Sequence, residues 1–264
     1  MERDVQSERP LVLCLSGHDP GGGAGIQADI ESCAAQGAHA LTLITAHTVQ
    51  DSRDVKQVTP VAPGLLKDQL ETLLADCKIS SIKIGLIGDA QQIPVILAAI
   101  AQTGVPVVFD PVLRAGGGAN LASASLVAAV QTQLLPKITV LTPNAAEARR
   151  LAPGAFDLDG CAQELLKVGV RNILITGGDE LALGGGESVI NSWHCAKRMR
   201  RFVWARLPGP FHGAGCTLAA AIAALLARGL PMAQALEDAQ AYVHRTLEKA
   251  FQSGRGRKIP DRFA

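Results

Sequence analysis

The segment GPFHGAGCTLAAAIAALL opens as a small-residue turn and continues as an Ala- and Leu-rich run, which places the N–H groups of Ala214, Gly215 and Cys216 at the start of a helix. Unpaired amides and the helix dipole together make such a start a site for anions, and the glycines Gly213 and Gly215 let the backbone approach one closely. Cys216 stands where the dipole is expected to lower a thiol pKa. The same pattern also describes a glycine-capped core helix with Cys216 as a small buried residue, and spacing alone does not separate the two readings.

Other residues carry chemistry of a related kind. Asp110 ends the apolar run VPVVFDPVL, where a carboxylate is costly unless it meets a cation or hydrogen-bond donors. In TPNAAEA, Asn144 and Glu147 lie one helical turn apart. With Asp110 they can hold the water shell of Mg2+, although NxxE is equally the pattern of a helix capping box. ILITGGDE ends another strand-like run in Thr176, Gly177 and Gly178, which offer a hydroxyl and backbone amides to a nucleotide phosphate or simply make a turn. The LALGGGE stretch after it reads as a lid edge or a surface loop. In SGHDPGGGAGIQAD the glycine spacing does not meet the GxGxxG fingerprint, and no acidic residue closes a strand about 20 residues later, so a dinucleotide site is disfavoured. Asp19 and its glycines instead suit one wall of a small-molecule pocket, or an Asp-Pro turn.

The elements needed to position these residues follow from the hydrophobic pattern. Leu11–Ser16 is short, apolar and bounded by glycine, as expected of a strand buried on both faces. Further strand-like runs are predicted at 39–46, 82–87, 105–112, 138–141 and 172–176, with helix-period segments at 64–77, 123–134 and 161–168 between them. ESVINSW and RRFVWARL are predicted to form a hairpin before two final helices. That alternation predicts an α/β domain with a mostly parallel central sheet flanked by helices on both faces, which places ligands outside the carboxyl ends of the strands. One domain is expected over 11–252, with a polar tail at 1–10 and a second tail at 253–264.

Composition narrows the function classes. The 264 residues are 48% hydrophobic and 19% charged, with a formal net charge of +1 and only 3% aromatics, so a nucleic-acid partner is disfavoured. The longest apolar run, 218–227, is half of what a bilayer span needs, and no membrane segment is expected. Six scattered cysteines without CxxC spacing read as reduced thiols, which points to a cytoplasmic protein.

Taken in order, SGHDPGGGAGIQAD, LITAHTVQDS, IKIGLIG, VVFDPVLRAGGG, VLTPNAAEA, ILITGG and HGAGCTLAAA resemble the hydroxymethylpyrimidine and phosphomethylpyrimidine kinases of thiamine biosynthesis, within the ribokinase-like superfamily. The resemblance runs from Leu11 to about Phe251. It implies a ribokinase-like fold, ATP and Mg2+ as cofactors, an aminopyrimidine substrate phosphorylated twice, and a homodimer. It places Gln50 on the aminopyrimidine, whose ring nitrogen and amino group an amide complements. Gly17, Asp19 and Leu86 fall on the substrate side, with Leu86 where the family usually carries methionine. Asp110, Asn144 and Glu147 fall in the metal and phosphate network, Thr176 and Gly177 beside the nucleotide, and Cys216 where sugar kinases of the superfamily carry an aspartate base. Two lysines common among relatives are missing: one at the position of Thr176, and one after Asp110-Pro111, where Arg114 is the nearest cation. A pyridoxal or pyridoxine kinase and a catalytically inactive nucleotide-binding module are the alternatives.

Overall fold

The computed structural model describes residues 9–114, 118, 121–178 and 186–264. The strands β1 (Leu11–His18), β2 (His39–Gln50), β3 (Val55–Pro60), β4 (Ile79–Ile84), β5 (Val107–Phe109), β6 (Val140–Leu141), β7 (Asn172–Ile175), β8 (Ser188–Cys195) and β9 (Arg198–Ala205) form one nine-stranded sheet. Its order is β3-β2-β1-β4-β5-β6-β7-β8-β9. From β2 across to β7 every pairing is parallel, and the sheet is extended by antiparallel strands, β3 on one side and the β8–β9 hairpin on the other. The predicted fold class therefore holds.

Because side chains alternate across a strand, each central strand feeds two cores. Leu13 and Leu15 of β1 face a Leu- and Ile-rich core, which is covered by α2 (Pro63–Asp76), α3 (Ile93–Thr103), α4 (Ala124–Ala129), α5 (Ala145–Leu151) and α6 (Leu158–Val168). Val12 and Cys14 face the opposite core, built on α1 (Gly25–Ala35), α7 (Ala214–Ala227) and α8 (Met232–Glu248). In that second core α7 is buried from Thr217 through Leu225, mostly by alanine. Small side chains let the helix lie close to the sheet, which sets the depth of its N-terminus. Among the described residues no helix is long and apolar enough to cross a membrane.

Several boundaries differ from the sequence pattern. The second strand runs on to Gln50 because β3 pairs with its far half. The run predicted over 82–87 is a strand only over Ile79–Ile84. The helix predicted over 123–134 is regular only to Ala129 and continues as a wider turn over Val130–Leu134. The stretch 253–264, expected to trail outside the domain, is packed into it: Phe251 and Ile259 pair as a β-bridge, as do Phe211 and Lys258, and Arg262 is only 2% exposed. The predicted N-terminal tail falls mostly, and the 181–187 glycine-rich segment largely, outside the described residues.

Candidate active site

The carboxyl ends of the parallel strands converge on a cavity of about 340 Å3. Gly17, Asp19, Gln50, Leu86, Asp110, Asn144, Glu147, Thr176 and the turn from Gly213 to Cys216 all line it. Gly177 does not. Its amide donates to Asn191 Oδ1 (3.0 Å), and a Cβ there would overlap the carbonyl oxygen of Ile190, so it serves the packing of β7 on β8.

The turn that opens α7 begins at Gly213, its N-cap, with φ of 87°. A Cβ there would run into the carbonyl oxygen of Gly23, so glycine is required both for the backbone angle and for the closeness of the two loops. Thr217 returns its N–H (2.9 Å) and its hydroxyl (2.8 Å) to the Gly213 carbonyl, which closes the first turn. The N–H groups of Ala214, Gly215 and Cys216 precede that bond at the cavity wall.

Cys216 does not have the lowered pKa expected of a thiol at a helix start. The residue as a whole is half-buried, yet its thiol lies against Asp110 and the Gly25 amide. Burial pushes the thiol up to about 12. Lys83 opposes this, the charges of Asp110 and Asp29 add to it, and the Gly25 amide offsets a little. The helix dipole acts only over its first turn and is outweighed by loss of water and two nearby carboxylates. Asp110 is likewise raised, first by burial, with Lys83 and a hydrogen bond from Cys216 pulling back.

Beneath this turn lies an ion pair absent from the sequence reading. Lys83 Nζ is 2.6 Å from Asp29 Oδ1, with both side chains fully buried, and it donates to Ser16 Oγ at 2.9 Å. Burial favours the neutral amine, but Asp29, by charge and hydrogen bond, and Asp110 together hold Lys83 charged. A lysine inside the apolar IKIG strand was itself the signal, because a charge at a doubly buried strand position must have a partner.

The glycine loop after β1 is built around Asp19. Its Oδ1 accepts from the Gly21 amide (2.8 Å), and its Oδ2 accepts from the Ala24 amide (2.9 Å) and pairs with His212 Nε2 (2.8 Å). Burial raises its pKa, but these donors outweigh burial and hold the carboxylate below the ordinary range. His212 thus ties the loop to the residues that enter α7. His47 is exposed and stands edge-on to His18. At the far wall the Gln50 amide lines the cavity with no partner among the described residues, while Thr45 Oγ1 donates to the Leu86 carbonyl and fixes that segment.

Asn144 and Glu147 form the capping box of α5. Glu147 Oε2 accepts from the Asn144 amide (3.0 Å), Asn144 Oδ1 accepts from the Glu147 amide (2.9 Å), and Glu147 Oε1 accepts from Leu113 N–H (3.3 Å). The capping role and a place on the cavity wall therefore coexist. Among the described residues no group of three or more His, Cys, Asp and Glu side chains is arranged to enclose a metal. Two buried carboxylates, Asp110 and Glu147, on one wall fit a hard cation that keeps most of its waters, the habit of Mg2+.

The C-terminal stretch, which carries no periodic signal, braces the whole arrangement. Arg262 donates to Thr217 Oγ1 (2.9 Å), to the carbonyls of Gly22 (3.2 Å) and Gly23, and to Glu31 (2.8 Å). One buried guanidinium therefore joins the Asp19 loop to the first turn of α7. A second cavity of about 530 Å3 opens alongside the first, between the β8–β9 hairpin and α8, and shares Asn144, Gly178, Phe211, Ala214 and Arg257 with it. Trp204, tilted against His244 at 5.4 Å, gives it an aromatic wall. Two joined compartments meeting at a helix N-terminus suit two ligands that exchange an anionic group.

Comparison with known proteins agrees with that arrangement. The family model described as phosphomethylpyrimidine kinase matches residues 19–261. A hydroxymethylpyrimidine/phosphomethylpyrimidine kinase of Synechococcus elongatus is 36% identical over 252 residues, covering 94% of this chain and 95% of the relative. A thiamine biosynthesis bifunctional protein of Geobacter sulfurreducens is 37% identical over 254 residues, covering 94% of this chain, which spans about half (51%) of the relative's length. Among solved structures, the pyridoxal kinase of Staphylococcus aureus in complex with AMP-PCP and pyridoxal superposes with a TM-score of 0.87 at 26% identity, covering 98% of this chain and 95% of that one. The match along nearly the whole chain, from Asp19 to Asp261, makes this chain a member of the phosphomethylpyrimidine kinase family.

Proposed function

We propose that the chain transfers the γ-phosphoryl group of ATP first to the hydroxymethyl group of 4-amino-5-hydroxymethyl-2-methylpyrimidine and then to the resulting monophosphate, supplying the pyrophosphate for thiamine synthesis. The observation that carries this reading is the pair of joined cavities with the α7 N-terminus at their seam and an unpartnered amide, Gln50, across the inner one. The outer compartment, with its aromatic wall, takes the nucleotide. The inner one takes the pyrimidine, whose adjacent donor and acceptor pair with Gln50.

In this reading the amides of Ala214, Gly215 and Cys216 receive charge as it spreads over the equatorial oxygens of the transferring group. They are in place before the reaction because Gly213, Thr217 and Arg262 fix the turn. Asp110 and Glu147 would hold Mg2+ through its waters, and the ion would neutralise phosphate oxygens. Cys216, with its pKa raised, stays a neutral thiol at physiological pH. A thiol leaves the seam without the extra negative charge that an aspartate would place there, which matters when the acceptor is itself a phosphate. Only the first transfer releases a hydroxyl proton, and the Asp110 carboxylate, hydrogen-bonded to the neutral Cys216 thiol, is the group placed to take it up.

The test is direct. Purified protein with Mg-ATP is offered hydroxymethylpyrimidine, its monophosphate and pyridoxal, and ADP release is followed for each. Turnover on both pyrimidines is expected. Turnover on pyridoxal alone would favour the pyridoxal kinase reading, which the shared fold keeps as the runner-up.

A further inference from the structure

We propose that Arg257 is the side chain that meets phosphate at the seam of the two cavities, in the role the absent lysines leave open. This rests on the kinase reading above and assigns the site a binding residue. Phosphoryl transfer between two anionic partners needs cationic charge at the point where they meet, and backbone amides supply only partial charges. The positions where lysine was expected do not supply it. Thr176 is uncharged, and the Arg114 guanidinium is bonded to the Gly118 carbonyl (3.3 and 3.1 Å) and reaches only the outer cavity. Lys83 is fully buried behind the inner wall against Asp29. Arg206 also lines only the outer cavity, where it donates to the Gly178 carbonyl. Among the described residues, Arg257 is the one Lys or Arg that lines the inner cavity, and it lines the outer cavity too.

Its position is built into the fold. The Arg257 amide donates to the Ser52 carbonyl (2.9 Å), and the Gly256 amide donates to Ser52 Oγ (2.9 Å). A Cβ at Gly256 would overlap the Ser52 backbone, so this crossing is close. On the other side, Lys258 N–H donates to the Pro210 carbonyl (3.2 Å) and the Lys258 carbonyl accepts from His212 N–H (2.9 Å). The backbone around Arg257 is thus fastened both to the turn that follows Gln50 and to the turn that enters α7. Its neighbours Arg255 and Lys258 are exposed, whereas Arg257 is half-buried at the seam. A guanidinium there presents a planar fork suited to two phosphate oxygens, which a point charge such as lysine matches less well. The phosphate belongs either to the nucleotide donor or to the monophosphate acceptor.

Steady-state kinetics on Arg257→Gln and Arg257→Lys, with each pyrimidine and varied ATP, test the assignment, and calorimetric titration with ADP gives a readout independent of turnover. The Gln variant is expected to lose roughly ten- to a hundredfold in kcat/KM, the worth of a charged hydrogen bond, with Lys restoring part of it. A loss confined to the monophosphate identifies the acceptor phosphate. Equal losses on both acceptors, with weaker ADP binding, identify the donor. Thermal midpoints are recorded for each variant, because the Arg257 side chain also has a contact within the protein whose loss would lower them. Wild-type kinetics and ADP affinity in the Gln variant, or a loss that follows a fallen thermal midpoint without rescue by Lys, would overturn the assignment. Absence of any pyrimidine turnover in the wild-type protein would instead sink the kinase reading, before the variants are compared.

Discussion

Asp19 and Asp110 occupy the same local context, an Asp-Pro pair at the end of a buried parallel strand, and they are almost equally buried, at 4% and 6% exposed. Their electrostatics are nevertheless opposite. Asp19 is held below the ordinary carboxylate range and Asp110 is held above it. Burial raises both, more completely at Asp110, and the neighbours decide the rest. Two loop amides and His212 point at Asp19. Asp110 faces the Cys216 thiol and shares the charge of Lys83 with Asp29. Asp19 is spent on shaping a loop, while Asp110 is left with capacity for a ligand. The motif tells where a carboxylate stands; the count of donors around it tells what it does.

The contrast can be broken most forcefully at Asp110. Asp110→Asn is expected to lower kcat by roughly a hundredfold or more while the protein stays folded, since its charge serves the reaction and not the loop. An Asn variant that turns over like the wild type, in the same ADP assay, would erase the distinction. Removing the cation on Asp110's side tests the cluster as a whole. Lys83→Met leaves Asp29 buried without its partner and is expected to cost about 3–5 kcal/mol in urea denaturation. Adding Asp29→Leu should recover most of that, and a double variant no better than the single would show that the pair is not what holds Lys83.

The smallest effect is expected on the Asp19 side. Asp19→Asn should cost about 2 kcal/mol at neutral pH, the worth of hydrogen bonds to a charged group. Because the folded pKa lies below the unfolded one, that contribution is fully present above the unfolded value near 3.8 and is lost as the pH falls through the lowered folded value. Denaturation midpoints of variant and wild type should therefore converge in acid. A gap that stays constant from neutral to acid pH would mean that the carboxylate charge is not what organises the loop.

The sheet was legible because doubly buried strands write continuous apolar runs, as in LVLCLS and VPVVFD. Two elements were not. The edge strand β3, VKQVTP, is mostly exposed and lacks an apolar face, and the helix α3, IPVILAAIAQT, is too uniformly apolar over its length to show a helical period. Of the site, the motifs pointed to strand ends and to a helix start that do line the cavity, apart from Gly177, whose amide is taken by Asn191. What could not be foreseen was long-range closure. Arg262 and Arg257 sit in a segment without pattern, and their partners at Gly22, Gly23, Thr217 and Ser52 are settled only by the tertiary fold. The Cys216 pKa likewise depends on Asp29 and Lys83, from α1 and β4, which no local reading brings together with it.

The Arg262 brace also sets a timetable. Arg262 holds the carbonyl of Gly22 from 240 positions further along the chain. On a ribosome adding about 5–20 residues per second, the glycine loop waits on the order of ten to fifty seconds for the group that pins it. Until then the sheet can pair and both cores can close, but the Asp19 loop and the first turn of α7 lack the guanidinium between them. Pocket assembly is therefore among the final events of the domain's biogenesis, and translation delivers a folded scaffold before it delivers a finished catalyst.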